Sequence, residues 1–567
     1  MRMQTVLRLR GVLLVSTALV AAGCGDDLGT SVDEHGRFAG DGDGENGSGS
    51  GGAHSAQVGG GTGAVGGGTG GVGGSALNAG ADAEFAVQLP PADPEQAVGI
   101  NPFVLVAHDP FSTFAADVDT ASYDLFLRDV AQGRLPAPDS VRLEEFVNYF
   151  HYDYPKPAQD AEHPFAIDMQ AAPNPLGRET VLLRVGVQAR DLIAADHSQG
   201  PANIVFLADV SGSMQSEEKL PLVQRVMHNT LDDLSPGDNV AIVTYASGVG
   251  VRLASTPLSE RSAIEAAIDG LSAGGSTNGA GGIQLAYQEA EAGRVDGINH
   301  VVLLTDGDFN VGANSDAELV ALIEDKRRSG ITLTVLGFGS GALNDSMMEK
   351  VSNAGNGIYG VITGEQQADD YVSERMLSTL VHAAKDMKLQ VEFNPEHVHA
   401  YRLLGYENRD IADQDFRNDA VDAGEVGSGH QVTALYELVM AGREVPPAEG
   451  AAQLDDGDPV EGEREIGAQD MVLLKVRYKD PADAEPATAL ETNLALASGA
   501  TLDFVSQASS DMQWAVAVAG LAEILRQSPY SGTDQLQVIG EMIDANVGDD
   551  DDRLELQGLL PAVGDLL

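Results

Sequence analysis

A continuous apolar run, Ile204-Val205-Phe206-Leu207-Ala208, ends on Asp209 and a polar loop of Val210, Ser211, Gly212 and Ser213. A run of that length closed by a polar loop predicts a buried parallel strand. From Lys219 to Leu234 the spacing turns helical, with Leu220, Leu222, Val223, Val226 and Met227 on one side. A buried strand feeding directly into a helix commits this region to layered α/β architecture. It also puts Asp209, Ser211 and Ser213 at the carboxyl end of a central strand, where open α/β sheets bind ligands. Oxygen side chains at i, i+2 and i+4 on one tight loop can face a single point. That donor set suits a small divalent cation such as Mg²⁺, which prefers hard oxygen ligands and keeps several waters.

The same alternation continues on either side of a glycine-rich loop. Strand-like runs occupy 203–208, 239–245, 300–305 and 331–338, and 251–257 reads as a short antiparallel edge strand. Helical spacing fills 217–234, 260–272, 279–291, 315–329 and 343–353, and a last helix fits 365–385. Right-handed βαβ units of this kind predict a doubly wound, mostly parallel sheet over 199–385. Before it, residues 97–198 read as a smaller α+β segment, with helices near 120–130 and 141–150 and strands at 165–172 and 179–189. After it, 386–567 divides into a β-rich part, 386–483, and a helical part, 509–567. The β-rich part has strands at 387–393, 399–405, 432–440 and 470–478, and the helical part has helices at 514–525 and 535–543. A final helix opens on the acidic run 549–552, where carboxylates suit the N-terminal dipole.

The start of the chain predicts export. Arg2, Arg8 and Arg10 precede an apolar stretch from Gly11 to Gly23, too short to span a bilayer and suited to a signal-peptide core over 1–23. The sole cysteine, Cys24, follows at once, so no disulfide can form within the chain. Val20-Ala21-Ala22-Gly23-Cys24 resembles the lipobox of bacterial lipoproteins, departing from it at Ala21, where leucine is usual. That resemblance implies a lipidated Cys24, and stable anchoring takes more than one acyl chain. Residues 24–96 then form a tether, rich in glycine, with a coil reach of roughly 45 Å. Such a chain is expected at the bacterial envelope, on the extracytoplasmic side of a membrane. A net charge of −53 argues against nucleic acid as partner, since nothing neutralises phosphates.

Two further loops complete the serine loop. Thr277 lies in Gly274-Gly275-Ser276-Thr277-Asn278, just before a helix, and Asp306 follows the apolar run Val301–Leu304. Asp209, Ser211, Ser213, Thr277 and Asp306 together offer two carboxylates and three hydroxyls. The segments DVSGSM, GGSTNGAGGIQLAY, LLTDGDFNVG and VLGFGSGALND resemble a von Willebrand factor A domain with a metal-ion-dependent adhesion site. The resemblance implies a Rossmann-like sheet, with Ser211, Ser213 and Thr277 as inner ligands and Asp209 and Asp306 either bridged to the metal by water or behind its ligands. It further implies Mg²⁺, Mn²⁺ or Ca²⁺ as cofactor, and a protein partner whose Asp or Glu carboxylate completes the metal shell. A shift of the Thr277 loop, coupled to the 365–385 helix, would change the affinity. NPFVLVAHDPFSTFAADVDTASY, LEEFVNYFHYDYP, VEFNPEHVHAYRLLGYENR, LKVRYKD and ILRQSPYSG are similar to bacterial von Willebrand A lipoproteins that carry a characteristic segment on each side of the A domain.

Other patterns compete with this reading. Gly337 to Ala342 meets the dinucleotide fingerprint with Glu365 beyond, although tight-turn glycines explain it as well. His397 and His399 share a possible strand face without a third ligand. The pattern Asp544-x-Asn546 with Glu555 mimics a calcium loop but puts Asp549 where the turn needs glycine. Asp117-Val118-Asp119 reads as a turn and helix cap. Phe146, Tyr149, Phe150, Tyr152 and Tyr154 could stack on sugars near a cell wall, or could be core. No Ser/His/Asp or Cys/His arrangement stands out, so the expectation is a metal-dependent binding protein rather than an enzyme. The alternatives are a wall-associated carbohydrate-binding or hydrolytic lipoprotein, or a metal-free assembly scaffold.

Overall fold

The strand Ala202–Asp209 is buried along its whole length, and its two faces supply two different cores. Ile204, Phe206 and Ala208 pack on Leu222, Val223, Val226 and Met227 of the helix Leu220–Asp233. Val205 and Leu207 pack on Ile283, Ala286, Tyr287 and Ala290 of the helix Gly279–Ala292. A strand covered on both faces has no use for polar alternation, hence the unbroken apolar run. The structure is a computed structural model that describes residues 99–567 apart from 117–118, 193–199, 278, 308–315, 342, 377–379, 420, 422, 453–463 and 482–486. Cys24 and its tether lie outside the described residues.

The central sheet has six strands in the order Tyr359–Ile362, Thr332–Phe338, Ile298–Thr305, Ala202–Asp209, Asn239–Tyr245, Val249–Pro257. The first five run parallel, and Val249–Pro257 is the antiparallel edge expected from the sequence. This is the doubly wound α/β sheet, with Asp209 at the carboxyl end of an inner strand.

Strands from before and after this sheet pair with each other. Phe111–Ala115 pairs with His382–Phe393, and Val181–Ala189 pairs with Gln431–Met440. Two antiparallel sheets result, sharing one core that includes Phe114, Val185, Leu389, Phe393, Tyr436 and Leu474. The helix Ser510–Leu525 is buried on nearly every side, which explains its all-round apolar sequence. Its Trp514 meets Phe150 edge-on, ring centroids 5.2 Å apart.

Residues 365–385 do not form one helix. They divide into the helix Glu365–Asp370, a wider turn Tyr371–Met376, and the start of the strand His382–Phe393. The Ala-Ala-Lys triplet at 383–385 reads as helix by propensity, but Ala384 pairs with Val426 and Lys385 with Lys479. Pairing partners some 40 and 90 residues away override the local preference. A coupling of the Thr277 loop to one long terminal helix therefore has no such helix to act through.

The preceding segment docks on the open edge of the central sheet. Asp119 accepts from the backbone N–H of Tyr359 at 2.7 Å, and Asp124 accepts from that of Val361 at 3.2 Å. Asp119 also pairs with Arg409 at 2.6 Å, so it braces the sheet edge instead of capping the helix, whose N-cap residue is Thr120. The helix Ala121–Ala131 thus covers the edge strand Tyr359–Ile362, whose unpaired backbone would otherwise invite association.

Candidate metal centre

Three loops meet at the carboxyl end of the sheet. The first carries Asp209, Ser211 and Ser213. Asp209 accepts from the backbone N–H of Ser211 at 2.8 Å, which curls the loop back on its own strand end. The hydroxyls of Ser211 and Ser213 lie 2.9 Å apart. Ser211 is buried and Ser213 exposed, so the pair runs from protein to solvent.

The second loop carries Thr277 and is stitched to the first. Gly212 donates to the carbonyl of Gly275 at 2.9 Å, and Gly274 donates to that of Val210 at 2.7 Å. Gly275 has φ +96°, and a Cβ there would lie 2.5 Å from Ser247 Oγ. Glycine at this position is required by both sterics and backbone. Thr277 is half-buried, two residues ahead of the helix Gly279–Ala292.

The third loop follows the neighbouring strand Ile298–Thr305. Thr305 donates its hydroxyl to Asp209 Oδ2 at 3.3 Å, and Asp306, next in the chain, is buried. Gly307 turns at φ +81°, where a Cβ would press on Leu343. Burial holds the Asp209 carboxyl above its usual range. The Ser211 N–H opposes this and the nearby Asp306 charge adds to it. Tyr245, on the other neighbouring strand, sits with its phenol against Asp209 and Thr305, and burial pushes its pKa well up.

The structure thus brings Asp209, Ser211, Ser213 and Asp306 to one sheet end and ties the Thr277 loop to them. Sequence reasoning missed Lys219, Thr305 and Tyr245. Lys219 Nζ lies 2.8 Å from Asp306 Oδ2. No local pattern announces that pairing, since 87 residues separate the two in the chain.

The competing patterns fare differently. The glycines at 337–341 serve packing: a Cβ on Gly337 would meet Met348, and one on Gly339, at φ +92°, would meet the Lys219 stem. His397 contacts the carbonyl of Ala468 at 3.1 Å, and among the described residues no cluster of three His, Cys, Asp or Glu could hold a metal. Phe146, Phe150, Tyr152 and Tyr154 are buried in a core with Trp514, and Tyr149 packs against them. They offer no open face to a sugar, because burial of their rings is what joins the flanking helices. Asp550, not the Asp544 pattern, acts at the last helix, capping Arg553 N at 2.9 Å.

A separate cavity of about 220 Å³ opens at the amino end of the sheet, lined by Arg327, Asn356, His382, Arg409 and His430 among others. It lies at the opposite end of the parallel strands from Asp209. Among the described residues no helix is long and apolar enough to cross a membrane.

Comparison with known proteins matches three family models. One described as von Willebrand factor type A domain covers residues 203–372. One described as von Willebrand factor covers 93–184, and one described as the C-terminal part of uncharacterized protein YfbK covers 378–564. The chain is 38% identical over 456 residues to the uncharacterized protein YfbK of Escherichia coli (strain K12), covering 79% of this chain and 77% of the relative. It is 28% identical over 187 residues to the uncharacterized protein sll0103 of Synechocystis sp., covering 33% of this chain and 43% of the relative. Among solved structures it is similar to a von Willebrand factor type A protein from Catenulispora acidiphila. That likeness has 16% identity and a TM-score of 0.42, and covers 71% of this chain and 90% of the other.

Proposed function

We propose a function on one premise: the chain belongs to the family of von Willebrand factor type A domain proteins that includes YfbK of Escherichia coli. It is a binding protein rather than an enzyme. It is held at the bacterial envelope through a lipidated Cys24 and takes a protein partner through a divalent cation on the Asp209 face. The anchor and its extracytoplasmic side rest on the basic, apolar and Cys24 pattern of residues 1–24.

The observation that carries this reading is the joining of three loops. The Ser211 and Ser213 hydroxyls lie 2.9 Å apart, and the Thr277 loop is bonded to their loop by two backbone hydrogen bonds. The donors are all oxygen, and only Asp209 and Asp306 carry charge, which fits a hard cation such as Mg²⁺, Mn²⁺ or Ca²⁺. Ser211, Ser213 and Thr277 would hold it directly, with Asp209 and Asp306 behind them. Neutral hydroxyls leave such an ion strongly electrophilic, so that when bound it supplies a position for a partner's Asp or Glu carboxylate. Ser213 lies on the exposed side and leaves that position reachable from solvent.

The test is calorimetry of Mg²⁺ and Mn²⁺ on the full chain, beside Asp209→Ala with Ser211→Ala. Saturable binding lost in the variant is the expected result. Binding indifferent to the substitutions would place the cations on the acidic surface and remove the reading. Where binding is found, capture of an envelope protein should fail in EDTA and return with added metal.

A further inference from the structure

Lys219 stands between the serine loop and the helix Leu220–Asp233, and its ammonium lies 2.8 Å from Asp306 Oδ2. Both side chains are largely withdrawn from water, 19% and 3% exposed. An ion pair so placed is little screened by salt. The methylene stem runs against Gly339, where a Cβ would lie 2.9 Å from both Cγ and Cε of the lysine. Gly339 therefore leaves a slot that any other residue would close. The strand-end loop that forms the slot is itself held from outside. Arg128 donates to the carbonyl of Gly341 at 3.0 Å, and Gln132 donates to that of Ser340 at 3.1 Å. Ser340 in turn donates to Glu218, the residue before the lysine, at 2.7 Å.

The lysine is thus steered onto one carboxylate of the candidate metal centre, its stem held against Gly339 and its ammonium on Asp306. A divalent ion arriving at Ser211, Ser213 and Thr277 meets a positive charge already seated on Asp306. From this geometry we infer that Lys219 is a built-in competitor of the metal, lowering the affinity of the centre by holding Asp306. The inference rests on the metal-site reading above and goes beyond it, because it assigns the affinity to a residue outside the ligand set. Binding then requires Asp306 to be shared between two cations, or the ammonium to leave its slot. The helix Ala121–Ala131, which carries Arg128 and is followed by its C-cap Gln132, keeps the slot formed.

The experiment is Mn²⁺ calorimetry on the full chain as wild type, Lys219→Gln and Lys219→Arg, with thermal unfolding of each to show that the fold is kept. Removing a unit charge a few ångströms from a dication should tighten binding by about tenfold or more in Lys219→Gln. Lys219→Arg keeps the charge and should stay within about threefold of wild type. Saturable binding in Lys219→Gln where wild type shows little also supports the inference. Wild-type binding that Lys219→Gln leaves equal or weaker overturns it and leaves the metal-site reading standing. No saturable binding in any of the three removes both.

Discussion

Gly212 donates its backbone N–H to the carbonyl of Gly275 at 2.9 Å, joining the loop of the two serines to the loop of Thr277. The bond depends on Gly275 holding φ +96° while its α-carbon passes close to Ser247. An added methyl would sit 2.5 Å from Ser247 Oγ and force the loop outward. Gly275→Ala should therefore weaken Mn²⁺ binding by about tenfold or more, with a stability loss of about 1–3 kcal/mol. Calorimetry and thermal unfolding read the two effects separately. Wild-type affinity in this variant would show that Thr277 does not depend on the stitched loop.

Asp209 pulls stability and binding in opposite directions. Burial raises its pKa, and a group raised in the folded state contributes stability below its unfolded pKa that is lost as pH rises through the folded value. At neutral pH the metal-free protein therefore carries a cost at this carboxylate. Asp209→Asn keeps the acceptor for Ser211 N–H and removes the charge. The metal-free variant should melt at or above the wild-type temperature. Adding Mn²⁺ at a hundred times its Kd should stabilise wild type by about 2.7 kcal/mol and leave the variant unmoved. A variant clearly less stable than wild type without metal would show that the buried charge is compensated by the fold alone.

Trp514 is fully buried and its ring meets Phe150, a residue from the opposite side of the central sheet in sequence. Trp514→Ala should cost about 3–5 kcal/mol, the range for emptying a large aromatic site. Because the core it fills contains residues from 123 to 563, the loss should appear as one lowered transition across the described chain. Calorimetric unfolding in which a helical region melts early, apart from an unaffected remainder, would contradict that shared core.

The Ala202–Asp209 strand and its serine loop are legible in sequence because burial on two faces leaves an unbroken apolar run. The strand Leu490–Ala497 is not. It lies at a sheet edge, shows Leu490 and Leu494 to solvent, and so lacks clean alternation. Tyr359–Ile362 is only four residues long and becomes a strand through pairing with Thr332–Phe338 and the docking of Asp119 and Asp124. His382–Lys385 misleads because its local preference is helical and its partners are distant. The candidate site divides along the same line. Its hydroxyls and carboxylates sit next to strand ends and can be placed by pattern. Lys219 and Tyr245 join it only through the folded sheet, and nothing nearer than tertiary structure marks them.

His300 lies near the start of the strand Ile298–Thr305, at the end remote from the serine loop, and it is fully buried. Its Nδ1 lies 2.6 Å from Thr332 Oγ1, and its buried Nε2 has no hydrogen-bond partner among the described residues. Burial, with a smaller contribution from His382, lowers its pKa to about 3 from 6.5. A base depressed in the folded state contributes stability above its unfolded pKa that is lost as pH falls toward the folded value. The window here runs from 6.5 down to about 3. His300→Gln keeps a side chain able to reach Thr332 and cannot titrate. At pH 7.5 the variant should be the less stable protein, having lost packing in a close-fitting site. Between pH 7.5 and 4.5 the wild type should lose roughly 2–3 kcal/mol more than the variant, at about 1.4 kcal/mol for each pH unit below 6.5. Other carboxylates and histidines titrate alike in both chains, so the difference between their urea midpoints isolates this one imidazole. A gap between the two proteins that stays constant with pH would mean that His300 titrates alike in the folded and unfolded chain, as a hydrated imidazole does, and would overturn the prediction.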